Sequence, residues 1–347
     1  VPSFRTGTVV ELWDERPGLQ RLLVDLGGGT AERAYALTAL TGPTAVGHRV
    51  VVNTTAVELG LGTGGWHVVH WDLDRDELVR PGDGHVVKLR YTSLQADVGA
   101  AEEHHGEPPA ELGGTPVVAC TVHSQVGVVA AAVAEAAPGT RLVHVMTDGA
   151  ALPLVLSDLV AELVARRLVV GTVTAGHAFG GDLEAVSVPS ALALARHVLG
   201  AEVVVVGMGP GVVGTGTRLG TTAVEAAAVL DTAAALGGVP VLCLRASSGD
   251  ARDRHAGVSH HATTVLHLAR AAVEVPVAEL PDEPVPERHR LVTVPVDDPA
   301  APLRAASLEV TTMGRGPGDD PAFFAHAVAA GRHAAAIRVP SAPHDDR

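Results

Sequence analysis

Residues 117–125 read VVACTVHSQ, a short apolar run that passes without a turn into His123-Ser124-Gln125. Four further stretches repeat the pattern. RLVHVM (141–146) leads into Thr147-Asp148-Gly149, and LVVGTVT (168–174) leads into Gly176-His177 through Glu184. VVVVG (203–207) leads into Met208-Gly209-Pro210-Gly211 through Gly220, and VPVLCL (239–244) into Arg245 through His261. Aliphatic runs without polar alternation suit strands buried on both faces, as in a parallel sheet covered by helices. In such a sheet the carboxyl ends of the strands share one edge, where ligands bind. Five loops that all carry chemistry-bearing residues are therefore expected to open on one cleft.

The spacing between the runs holds helices. Ser124 is placed to cap one ending near Ala137, before Pro138-Gly139. Pro153 opens the next, and Pro189 sits in the first turn of a third that stops at Gly200. Thr222 and Glu225 have capping-box spacing ahead of an Ala-rich helix, and Ser259 precedes another. A strand is expected at Arg290–Val296 and a last helix from Pro321 to about His333. Strand–helix alternation predicts a doubly wound α/β domain over residues 117–340.

The first hundred residues differ. Short β-type runs (8–13, 20–25, 32–40, 48–53, 66–71 and 84–91) are separated by Gly- and Pro-rich turns with no helical period. They predict a small antiparallel β-barrel or sandwich over residues 1–96, of the oligonucleotide-binding or SH3-like kind. Residues 97–116 (DVGAAEEHHGEPPAELGGTP) read as a linker in which His104-His105 is incidental. Residues 341–347 read as a disordered tail.

Composition narrows the partners. The chain has 347 residues and a formal charge of −14, with Lys88 its single lysine. That balance, and acidic turns without a basic aromatic stripe, argue against nucleic acid. No apolar run approaches the roughly 20 residues of a membrane span. Cys120 and Cys243 sit within apolar strands and read as buried reduced thiols. A cytoplasmic protein without a membrane partner is expected, with a homo-oligomer left open.

Gly209-Pro210-Gly211-Val212-Val213-Gly214 has the letters of a dinucleotide fingerprint, but the helix signal comes only at Thr222. The next strand ends in Arg245 rather than in an acid. NAD(P) is therefore disfavoured, and the absence of Lys-Ser/Thr excludes a P-loop. What remains is an anion cradle (Gly209, Gly211, Gly214, Thr215, Gly216) ahead of a helix, or a glycine loop needed only for close packing. Arg245, Arg252 and Arg254 add forked donors for carboxylate or phosphate. His123, Asp148, His177 and His255 are the candidate acid–base residues. Asp148, His177 and Asp182 form a mixed N/O set that could hold a divalent metal, although no familiar metal spacing is present.

At these residues the chain resembles a bacterial family known as domain of unknown function 3866. The segments that carry the resemblance are His123-Ser124-Gln125, Thr147-Asp148-Gly149, GHAFGGDLEAV, MGPGVVGTGT and RHAGVSHH. The resemblance extends over essentially the whole chain. It implies a cytoplasmic bacterial protein and brings no activity, cofactor or catalytic residue. Two functions follow from the residues themselves. One is a hydrolase or transferase acting on a small anionic metabolite, such as a phosphorylated compound or a nucleotide. The other is a non-catalytic sensor for such a ligand.

Overall fold

The structure is a computed structural model that describes residues 2–61, 64–82 and 84–340. Its contacts divide the chain into two compact units, Val1–Val98 and Gly99–Arg347. The first is a closed five-stranded barrel of β1 (Phe4–Arg16), β2 (Leu19–Asp25), β3 (Ala31–Leu37), β4 (Arg49–Asn53) and β5 (His67–Asp72). The order around the barrel is β1-β2-β3-β5-β4, the order of an oligonucleotide-binding barrel. Two register shifts bend the long β1, so that it pairs with β2 along one half and β4 along the other. Alternate residues, among them Leu22, Val24, Ala34, Ala36, Val50 and Val52, fill the interior. Gly7 is required there, because a Cβ would lie 2.4 Å from Val24 Cγ1.

Three expectations for this unit change. The barrel is not wholly antiparallel, since β3 and β5 run parallel. The run at 84–91 is not a barrel strand; only β6 (Val87–Lys88) pairs, with β7 (Ala96–Asp97). An exposed aromatic is present after all. Trp13 stacks on Trp66 at 5.6 Å, with the Arg33 guanidinium over both rings. A short helix, Thr55–Glu58, lies between β4 and β5.

The second unit is built on β8 (Pro116–Cys120), β9 (Leu142–Thr147), β10 (Gly171–Ala175), β11 (Leu183–Ala185), β12 (Val203–Met208) and β13 (Val239–Cys243). After a small antiparallel pair, β14 (Ala246–Ser247) with β15 (Gly257–Val258), come β16 (Glu274–Val277) and β17 (Arg290–Thr293). The large sheet is ordered β11-β10-β9-β12-β8-β13-β16-β17 and every pairing in it is parallel. Side chains alternate between two cores. Val204 and Val206 join helices Val188–His197, Glu225–Ala235 and His260–Leu268 on one face. Val203 and Val205 join helices His123–Ala136 and Pro321–Ala336 on the other. The architecture is thus an α/β sheet covered on both sides.

The segment expected as a linker packs into this unit from Gly99 onward. Leu112 is fully buried, and its amide donates to Leu236 O. Helix starts also shift. Gln125, not Ser124, serves the first turn of its helix, its Oε1 accepting from Thr121 N and Val122 N. Pro153 opens only a single tight turn, and the helix begins at Asp158 under the Ser157 cap. Thr221 rather than Thr222 caps the turn before the Ala-rich helix. Among the described residues no helix is long and apolar enough to cross a membrane. The expected tail, 341–347, lies outside the described residues.

Candidate functional site

The loop after β8 enters a helix on one face of the sheet, whereas the loops after its neighbours β12 and β13 feed helices on the opposite face. Connections that diverge in this way leave a crevice at the carboxyl edge. All five predicted loops leave the sheet from that edge, but their side chains do different work there.

His123 is fully engaged. Its Nδ1 is 2.9 Å from Met208 O, and its Nε2 is 2.7 Å from Ser157 Oγ. A carbonyl only accepts, so the ring proton is on Nδ1 and the Ser157 hydroxyl donates to Nε2. Ser157 Oγ in turn accepts from Val160 N at 3.0 Å. Burial holds the His123 pKa below its usual value. This neutral, doubly bonded ring ties β12 to a helix cap, and no reactive lone pair remains.

Asp148 and His177 meet through the backbone. Asp148 Oδ2 accepts from His177 N at 2.9 Å. Gly176 has φ +66°, and a Cβ there would lie 2.3 Å from the same oxygen. Asp182 is not with them. Because β11 runs parallel to β10, the chain must return to the amino edge of the sheet before starting β11. There Asp182 Oδ2 accepts from Thr172 N and Thr172 Oγ1, both at 2.8 Å. The Asp148–His177–Asp182 metal set is therefore not assembled. A structural duty replaces it.

The glycine loop is closed by its own backbone. Thr215 N donates to Gly220 O at 2.7 Å, Val213 N to Thr222 Oγ1, and Thr222 N to Val213 O. Gly209 is needed for close packing, since a Cβ would lie 2.3 Å from Ala151 O. Of the expected cradle, Gly214 and Gly216 line a cavity; Gly209, Gly211 and Thr215 do not.

That cavity, about 100 Å³, lies between the loops after β12 and β13. Arg245, Arg252 and Arg254 line it with His255, His260 and His261, and Met313 closes one side. Asp250 holds Arg252 in place, receiving Nε at 2.8 Å and Nη2 at 2.6 Å, and also receives Arg315 Nη2 at 3.2 Å. These cations keep the Asp250 carboxyl far below the usual range. Asp320 anchors the loop start by accepting from Ser247 Oγ at 2.6 Å and Ser248 N at 2.9 Å.

Arg245 is different. It is only 3% exposed, and among the described residues its guanidinium reaches no carboxylate. Its hydrogen-bond partner is His261 Nδ1, at 2.8 Å. Burial, with Arg252 nearby, lowers the Arg245 pKa to about 10. Burial and Arg245 lower His255 to about 4 and His261 to about 3, while burial and Arg254 lower His260. Three neutral imidazoles thus share a small, positive cavity. Their ring nitrogens come within 4.8 Å of one another, and His260 Nε2 is buried with no hydrogen-bond partner among the described residues.

Sequence reasoning missed one group at this edge. Glu225, taken for a cap, instead receives the Thr147 hydroxyl, and burial raises its carboxyl pKa to about 7. Gly149 leaves the room for it, because a Cβ would lie 2.5 Å from Glu225 Oε2. A larger apolar depression, about 560 Å³, lies by Leu303, Leu308 and Val310 and contains no histidine.

A two-faced α/β sheet with an Arg–His cavity at its carboxyl edge defines the general class. The family described as "Protein of unknown function (DUF3866)" matches residues 33–331. The chain belongs to that family. The match starts within β3, so it is shorter than the whole-chain resemblance expected. Neither the curated proteins nor the solved structures compared with the chain yield a match.

Proposed function

We propose that this chain is an enzyme acting on a small anionic metabolite, with the anionic group bound in the Arg245–His261 cavity. Arg245 carries the reading. A buried guanidinium whose carboxylates, Asp250 and Asp320, act on it only from beyond hydrogen-bonding distance bears a desolvation cost that a bound anion would offset. Arg254 faces the same cavity, and the N-terminus of helix His260–Leu268 adds its positive end. The volume limits what is enclosed. At about 100 Å³ it suits a group the size of phosphate and leaves the remainder of a metabolite outside.

Neutral imidazoles beside the anion favour an enzyme over a sensor, because binding alone needs only the cations. Calorimetric titration with inorganic phosphate tests the reading. Saturable binding that weakens in Arg245→Met is expected. Equal, unsaturable heats in both proteins would reject the site.

A further inference from the structure

Among the described residues that line the Arg–His cavity there is no Ser, Thr, Cys, Asp or Glu. Imidazole is therefore the only lining side chain that can attack phosphorus or accept a proton. The three rings are not equivalent. The guanidinium of Arg245 can only donate, so His261 Nδ1 is an acceptor and the ring proton is on Nε2. His261 is thus a donor toward the cavity. His255 Nδ1 is occupied by Ser259 Oγ at 2.7 Å. His260 Nε2 is buried without a partner among the described residues, a costly state that a bond to an incoming atom would relieve.

A phosphoryl group inside the cavity would lie against the rings, with its leaving group at the mouth. A ring nitrogen can then attack opposite the leaving group, and water enters later from the side that the leaving group has vacated. The positive surroundings also disfavour a bare metal cation on the three rings. Arg245 and Arg254 lie where that cation would be repelled.

Resting on the anion reading above, we propose that His260 Nε2 is a phosphoryl acceptor that forms a transient phosphohistidine from a small acyl phosphate or phosphoric anhydride. The Nε2 lone pair forms the N–P bond as the P–O bond to the leaving group breaks. The electron pair of that bond leaves on oxygen, as a carboxylate or phosphate that needs no proton. The Nδ1 proton of the ring passes to water. Attack by water on phosphorus then breaks the N–P bond, releases inorganic phosphate and restores the imidazole. Arg245, Arg254 and His261 Nε2–H balance charge on the transferring oxygens. Burial and the flanking arginines keep His260 neutral, so its lone pair is present at neutral pH.

Incubation of the chain with acetyl phosphate, followed by an alkaline quench and peptide mass mapping, tests this. One phosphoryl group on His260 is expected, stable in base and lost in acid. His260→Gln should carry none. His267→Gln, at an exposed position on the same helix, should be modified like the wild type. The mapping on wild-type protein stands even if His260→Gln folds poorly. Phosphate binding without any adduct in the wild type would overturn the proposal, as would an adduct on another residue. Phosphate binding that appears only with added Zn²⁺ would also overturn it, by making the histidines metal ligands. Loss of phosphate binding in the wild type would reject the anion site itself, and so is distinguishable from failure of the acceptor.

Discussion

Arg245 donates from Nη1 to Nδ1 of His261 across 2.8 Å, although the two residues are 16 positions apart. A guanidinium has no acceptor and keeps its proton, so this bond fixes where His261 carries its own. One buried cation thereby sets the tautomer of a ring that lines the cavity.

Arg245→Met should separate binding from folding. Charge-assisted hydrogen bonds contribute about 1.5–3 kcal/mol each, so phosphate affinity should fall roughly ten- to a hundredfold. The free protein should keep its melting temperature or gain slightly, because removing a buried charge that has no carboxylate within hydrogen-bonding distance relieves its desolvation cost. Calorimetry and a ligand-free thermal melt measure the two effects. A large drop in ligand-free stability would make Arg245 a structural residue.

Glu225 should make the protein less stable as pH rises. Its folded pKa, about 7, lies above the ordinary carboxyl value of 4.5. The folded state therefore holds the extra proton, and the stabilisation present below pH 4.5 is lost as pH rises through 7. Full conversion of the shift gives about 3 kcal/mol, and partial solvent screening reduces this to about 1–2 kcal/mol. Glu225→Gln should flatten that loss and raise the denaturation midpoint at pH 8, with little effect at pH 4. Parallel pH profiles for the two proteins would count against a buried, protonated carboxyl.

Much of this was legible in the sequence because local chemistry and tertiary structure agree. VVACTV, RLVHVM and VVVVG became buried parallel strands, and the Ser259 and Pro189 helix starts hold. Expectations changed where a long-range pairing decided the outcome. The pairing of β11 with β10 carried Asp182 away from Asp148, and nothing within GHAFGGDLEAV indicates that return. Glu225 had the spacing of a cap, yet the space left by Gly149 turned it toward Thr147. His260 and His261 were visible as letters. Their separate roles depend on partners that only the fold supplies.

Asp182→Ala tests the replacement of a metal ligand by a structural carboxylate. Two hydrogen bonds to Thr172 would be lost at a partly exposed site, costing about 1–2 kcal/mol. Chemical denaturation should show that loss, and phosphate binding should be unchanged. A thermal-shift series with Mn²⁺ and Zn²⁺ should give the same response in the variant as in the wild type. A metal-dependent shift that vanishes in the variant would restore Asp182 as a ligand.

His144 should be a main source of acid sensitivity. It is fully buried in β9, where its Nδ1 donates to Val205 O at 3.2 Å. Burial, then the neighbouring His123, depress its pKa to about 3. The unfolded chain takes up this proton near pH 6.5 but the folded chain does not. The stability that His144 contributes is therefore complete above 6.5 and is lost as pH falls toward 3. At pH 5 the loss from this one ring is about 2 kcal/mol, because each pH unit below 6.5 is worth about 1.4 kcal/mol. His144→Gln keeps an amide donor for Val205 O and removes the titration. The variant should be weaker than wild type at pH 7.5, since the smaller side chain packs less well, and should lose less stability between pH 6.5 and 5. Urea midpoints at the two pH values measure the difference. Identical slopes would mean that His144 already takes up its proton in the folded state.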